Sequence, residues 1–307
     1  MWVFFGTGLL ACYDFEGNEV WKFDVQDRYG KFSIQFGMTS TPILHSDGLY
    51  LQLIHGDMNG DYVVGKVIRL NKANGEEVWS RDRQTGAIAE NRHSYASPIL
   101  FHEAERTLLV THGADHTIAY NLEDGREVWR LGGLNGTTEI NKTPFDRTLR
   151  FVATPVANEG VVVIPTAKGG PIVALKPEGV TGEIASSSDA LLWVHEKTPD
   201  VPCPLVLDGI AYFCRKDGRV FAIDVATGEE LYYERTHNHQ HRASPVCIDG
   251  KLYTTARDGH ITVYNTGRSF EVIAENDLGE TITASPAVAN GTLYLRTFQN
   301  LYAIRPE

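Results

Sequence analysis

No run of about 18 consecutive apolar residues occurs in the 307 residues, which excludes a membrane-spanning helix. Cysteine is scarce. Cys12, Cys203, Cys214 and Cys247 stand alone, without CxxC or CxxH spacing, so the cysteines give poor support to a zinc site or redox dithiol. Basic residues are also in deficit: 28 Lys and Arg face 39 Asp and Glu, a formal charge of −11, which argues against phosphate neutralisation on DNA or RNA as the main business. Nucleic acid is therefore not an expected partner. No Lys or Arg precedes the apolar start Met1 to Cys12, and Gly6-Thr7-Gly8 interrupts it. Leu9-Leu10-Ala11-Cys12 has the form of a lipoprotein cleavage box, yet without a basic flank the segment does not read as a signal peptide. A GxSxG elbow is missing too, which places hydrolase chemistry low.

What the chain does have is 29 Gly with 13 Tyr, 13 Phe and 5 Trp, a composition of turns joining aromatic strands. A phrase recurs from end to end. Its first half is a small residue and a proline opening an alternating apolar run: Thr41-Pro42, Ser97-Pro98, Thr154-Pro155, Cys203-Pro204, Ser244-Pro245 and Ser285-Pro286, with prolines 56, 57, 49, 41 and 41 residues apart. Its second half is a strand, a Gly turn and a strand ending in an aromatic, as in Tyr13 to Trp21, Asn71 to Trp79, Asn121 to Trp129 and Asp224 to Tyr232; Lys176 to Trp193 is an enlarged copy. Between Ser244 and Ile273 four short strands are joined by Asp249-Gly250, Asp258-Gly259 and Asn265-Thr266-Gly267, where glycine supplies the positive φ of a tight turn. Four strands per 40 to 57 residues with period-2 alternation predict an all-β β-propeller of four-stranded antiparallel blades. Helical repeats would need apolar spacing of i, i+3, i+4, which does not occur.

The whole sequence, 1–307, is expected to form one such domain, with blades near 39–82, 95–133, 152–197, 201–237 and 242–279, and partial ones at 1–35 and 283–307. On this count five blades are complete and two partial, the intact protein has seven or eight, and an upstream stretch supplying an inner and an outer strand is missing. The small residue and proline are assigned to the crowded innermost strand, where a missing N–H costs little. Trp21, Trp79, Trp129, Trp193 and Tyr232 are assigned to packing between blades.

Ala222 to Tyr232 and Leu70 to Trp79 resemble the AxDxxTGxxxW repeat of the pyrroloquinoline-quinone-like (PQQ-like) β-propellers. That family includes quinoprotein alcohol dehydrogenases and the propeller lipoprotein of the bacterial outer-membrane assembly machine. The wording around Gly8 to Asp14 and Tyr95 to Pro98 is similar to large secreted bacterial members. The resemblance implies a periplasmic or extracellular setting; it speaks for the fold and weakly for activity. Family dehydrogenases stack the quinone on a disulfide between adjacent cysteines and use calcium with a catalytic Asp, and this chain has no Cys-Cys pair. No cofactor is expected, and PQQ least of all.

Three functional readings stay open. The first is a non-catalytic binding protein whose channel mouth takes an anionic small molecule or acidic saccharide. The loops leading into each innermost strand carry Arg92, His93 and Tyr95, Arg150, Asp200, His237, His239, His241 and Arg242. Loops between second and third strands, on the same face, add His55, Asp57, His112, Asp115, Lys168, Arg215, Lys216, Arg257 and Asp258. From these, Arg92, His93, Lys168, Arg215, His241, Arg242 and Arg257 are the expected binding residues, a cationic ring on an acidic chain. The second reading is a protein-interaction scaffold, and the third a quinoprotein-like oxidoreductase. Two weaker metal candidates remain. His237-x-His239-x-His241 presents three imidazoles on one side if extended. Asp57-x-Asn59-x-Asp61 opens like a calcium loop but has Tyr62 at the glycine position and Ile68 at the bidentate-glutamate position.

Overall fold

A computed structural model describes residues 1–305 as a seven-bladed, all-β propeller built from antiparallel sheets. Helix is confined to Val25–Tyr29 and a 3-10 turn at Ala89–Arg92 among the described residues. Blades two to six run in chain order from inner to outer strand, for example Leu205–Leu207, Ile210–Cys214, Arg219–Asp224 and Glu230–Arg235 in blade five. Blade three gains a fifth strand, because Gly182–Glu183 from the enlarged copy pairs in parallel with Glu127–Leu131. The first sheet (Trp2–Phe4, Leu9–Tyr13, Glu19–Asp24) and the last (Ala287–Ala289, Thr292–Arg296, Leu301–Ile304) each have three described strands.

Local chemistry sets these elements. Asp208-Gly209, Asp249-Gly250 and Asn290-Gly291 each hold two successive residues at positive φ, the backbone of a type I′ hairpin, and join inner to second strand through two residues. At the outer turn, the carboxylate of Asp224 accepts from the backbone N–H of Ala226 and Thr227, and the amide oxygens of Asn71 and Asn121 accept from Ala73 and Glu123.

The core lies between blades rather than within one layer. Six apolar clusters fill six successive seams; the one between blades three and four packs Phe101, Val110 and Trp129 against Phe151, Val162 and Ile164. Three seams share a lock. The indole N–H of Trp21, Trp79 and Trp193 donates to the carbonyl of Lys72, Leu122 and Val225 in the following blade. Each ring also lies against the turn glycine there, Gly75, Gly125 or Gly228, so closely that a Cβ would sit 2.6 to 2.8 Å from it. This contact explains why the repeat couples its glycine to its tryptophan.

Candidate functional site

The site grows from the small residues before the prolines. Thr41 N–H donates to Ser97 Oγ, Ser97 N–H to Thr154 Oγ1, Thr154 N–H to Cys203 Sγ, Cys203 N–H to Ser244 Oγ and Ser244 N–H to Ser285 Oγ, at 2.9 to 3.2 Å. Each blade thus satisfies the one before it around the axis. The residue must be small, as the sequence suggested, but it must also carry an acceptor.

This belt fixes the roots of the lead-in loops. Those of blades two to six converge on a cavity of about 420 Å3, to which they contribute Phe36 and Thr39, Tyr95, Arg150 and Val152, Asp200 and Val201, and Gln240, His241 and Arg242; Lys216 comes from a neighbouring turn. Arg150 pairs with the buried Glu90 at 3.2 Å and lies over the Phe36 ring, while Lys216 pairs with Asp200 at 2.8 Å. Arg242 is exposed and makes no ion pair or hydrogen bond among the described residues. Burial holds the His241 imidazole below its ordinary pKa, and its Nδ1 meets the carbonyl oxygen of His239. Three cations meet two carboxylates, Glu90 and Asp200, which leaves the mouth one positive charge in excess, on Arg242. Beyond Arg150 the surface continues into an open shelf with Arg147 and Lys168.

Of the residues expected at the mouth, His241 and Arg242 line this cavity and Lys168 lies on the adjoining shelf. The others are not brought to it. Arg92 lines a separate cleft between blades two and three, donating to the carbonyls of Ala87, Asp57 and Gly60. His93 is buried with Nε2 on the Gly56 carbonyl. Arg215 lies beside Asp217 at 3.5 Å, and Arg257 reaches Gln240. Arg150 and Lys216 are mouth residues that the shortlist of seven left out. Their loop positions pointed to them, whereas their pairing with Glu90 and Asp200 required the fold.

The metal candidates are placed as follows. His237 Nε2 and His239 Nδ1 approach Asp258 at 2.8 and 3.7 Å, while His241 turns inward. At the Asp57 to Asp61 turn, Ser33 donates to the Asp57 carboxylate and two backbone carbonyls serve the Arg92 guanidinium. Among the described residues no three His, Cys, Asp or Glu side chains are grouped to hold a metal. All four cysteines are free thiols.

Blades that lock through an indole and a turn glycine around a polar axial mouth define a β-propeller of the PQQ-like class. A protein-family model described as outer membrane protein assembly factor BamB matches residues 2–265, and the chain belongs to that family. No curated protein matches the sequence. Among solved structures, BamB from Moraxella catarrhalis superposes with a TM-score of 0.67 at 16% identity, covering 97% of this chain and 78% of that one. A europium-containing methanol dehydrogenase gives 0.61 at 11%, covering 96% and 72%. The computationally designed Ika8 protein gives 0.58 at 13%, covering 99% and 92%. At these identities the likeness is one of fold. No helix among the described residues is long and apolar enough to cross a membrane.

Proposed function

We propose that this is a non-catalytic binding propeller whose axial mouth takes an anionic small molecule or the acidic group of a saccharide. The observation that carries the reading is the convergence of five successive lead-in loops on one cavity, where Glu90 and Asp200 pair with Arg150 and Lys216 and Arg242 is left without a carboxylate among the described residues. Arg150 and Lys216 are held by their partners, which fixes the cavity's shape, while the guanidinium of Arg242 is left to pair with a ligand. A carboxylate would meet a fork of N–H donors beside the aromatic walls of Phe36 and Tyr95. Calorimetry with galacturonate oligosaccharides at low and moderate salt tests this: saturable binding that weakens with salt and falls about tenfold in Arg242→Ala is expected. Binding of equal strength by the neutral galactose oligomers would overturn it.

A second reading, an interaction scaffold in the periplasm or at the cell surface, is favoured by the family to which the chain belongs and by the apolar surface of the last blades. Val272, Ile273, Val288, Phe298, Leu301 and Ile304 are 43 to 66% exposed there. The two readings use different surfaces. Substitutions at Leu301 and Phe298 would weaken capture of a protein partner without altering saccharide binding.

A further inference from the structure

The cleft between blades two and three holds a buried charge without an ion-pair partner among the described residues. Arg83 follows the outer strand of blade two and is 3% exposed, with Nε donating to Thr111 Oγ1 at 3.0 Å and Nη2 to the His116 carbonyl at 2.7 Å. Among the described residues its Nη1 has no hydrogen-bond partner and no carboxylate lies within ion-pair distance. Burial pulls its pKa to about 10, so it stays cationic at neutral pH. A buried cation with no paired carboxylate is costly; Nη1 itself is closed off from solvent, so it is the field of the charge rather than a free donor that reaches the neighbouring cavity, and the cost falls if an anion occupies that cavity.

That space exists. Arg83 lines a cavity of about 660 Å3, within the range that small-molecule sites occupy. Arg92 brings a second guanidinium, while Lys66 and Asp82 neutralise one another at 2.6 Å. One wall is the largely exposed segment from Gln84 to Ile88. The rim is different in character: Tyr62, Val63 and Ile88 are 39, 51 and 49% exposed. From this pairing of a positive floor with an apolar rim we infer that the cleft is a second binding site, separate from the axial mouth, for an organic carboxylate with an aromatic or aliphatic body.

The probe is 2-naphthoate, with 2-naphthamide as its neutral counterpart and inorganic phosphate as an anion lacking the apolar body. Titration calorimetry on the full chain should show saturable binding of 2-naphthoate and at least tenfold weaker binding of both others. Arg83→Gln should remove the preference for 2-naphthoate over the amide. Because that variant breaks buried contacts and can fail to fold, Ile88→Asp on the exposed rim is the companion: it adds a like charge at the mouth of the cleft and should weaken 2-naphthoate about tenfold with the thermal midpoint unchanged. Arg242→Ala, at the axial mouth, should leave it unaffected. Equal binding of naphthoate and naphthamide, or of naphthoate and phosphate, overturns the inference. So does indifference to Ile88→Asp, or an effect of Arg242→Ala in its place.

Discussion

Trp79 and Trp129 hold the same place in consecutive blades, yet their surroundings differ. Trp79 donates to the Leu122 carbonyl at 3.1 Å and rests on Gly125 of the next blade. Trp129 is fully buried among Phe101, Val110, Phe151 and Val162, and its indole N–H finds no acceptor among the described residues. The cause is the enlarged copy. Where the other blades offer a short Asx-turn and glycine, blade four inserts residues up to Ala190, and Gly182–Glu183 pairs with the Trp129 strand instead. An unmade indole hydrogen bond costs about 1 to 3 kcal/mol in a dry interior. A seam can therefore keep its tryptophan for apolar area alone, which shows that the polar lock and the wedge are separable parts of one motif.

The largest effect should come from removing either wedge. Trp79→Ala and Trp129→Ala are each expected to cost about 3 to 5 kcal/mol, read as a lower urea midpoint, because both leave a cavity that rigid sheets cannot close. Equal losses would mean that apolar packing dominates both seams. A loss under about 1 kcal/mol at either would show that the residue is no wedge.

Acid should discriminate next. His112 in the Trp129 seam stacks on Phe151 at 4.4 Å; burial first, then the nearby Arg83, lowers its pKa to about 3. The fold favours the neutral ring, so the stabilisation is complete above the unfolded value of about 6.5 and is lost as pH falls toward 3. On the order of 3 kcal/mol should disappear between pH 6.5 and 4. The neutral variant His112→Gln should flatten that part of the stability profile. An unchanged slope would mean that the protonated ring is accommodated.

The unequal seams also show what the sequence can reveal. The repeat, the Gly turns and the role of Trp79 were legible because each is local or strictly periodic. The acceptor role of the residues from Ser97 to Ser285 was not, since small size and a hydroxyl coincide at four of these positions and Cys203 obscures the pattern at the fifth. Charge was the least legible property. Arg92, His93 and Arg215 look alike as nitrogen-bearing loop residues, and whether each faces a ligand depends on carbonyls or carboxylates contributed by other segments. Arg83 was missed because Arg81-Asp82-Arg83 reads as a solvated strand end, whereas the fold buries its third member.

The lock itself can be tested at its glycine. At Gly125 φ is +70° and a Cβ would stand 2.6 Å from the Trp79 ring, whereas Gly160 has a similar φ of +78° with nothing within 4 Å. Both Ala variants incur about 1 kcal/mol of left-handed backbone strain. Gly125→Ala should cost about 2 kcal/mol more, since ring and turn must part. Equal costs would show that the close approach contributes no more than the backbone conformation.

The smallest effect isolates the hydrogen bond. Phenylalanine keeps most of the ring's apolar area and discards the indole N–H, so the two tryptophans should respond differently to the same change. Trp79→Phe loses a bond to Leu122, whose carbonyl retains longer contacts from Tyr50 and Arg69 at 3.4 and 3.3 Å, so the polar loss should be about 1 kcal/mol. Trp129→Phe loses no bond and removes a buried donor that nothing satisfies, which offsets part of the cost of the smaller ring. Urea midpoints of the two single variants and of their combination should place Trp129→Phe about 1 to 2 kcal/mol above Trp79→Phe, with near-additive losses because different seams hold the two rings. If Trp129→Phe proves the more damaging, its indole has an acceptor after all, such as an ordered water in the seam, and the separation of wedge from lock fails.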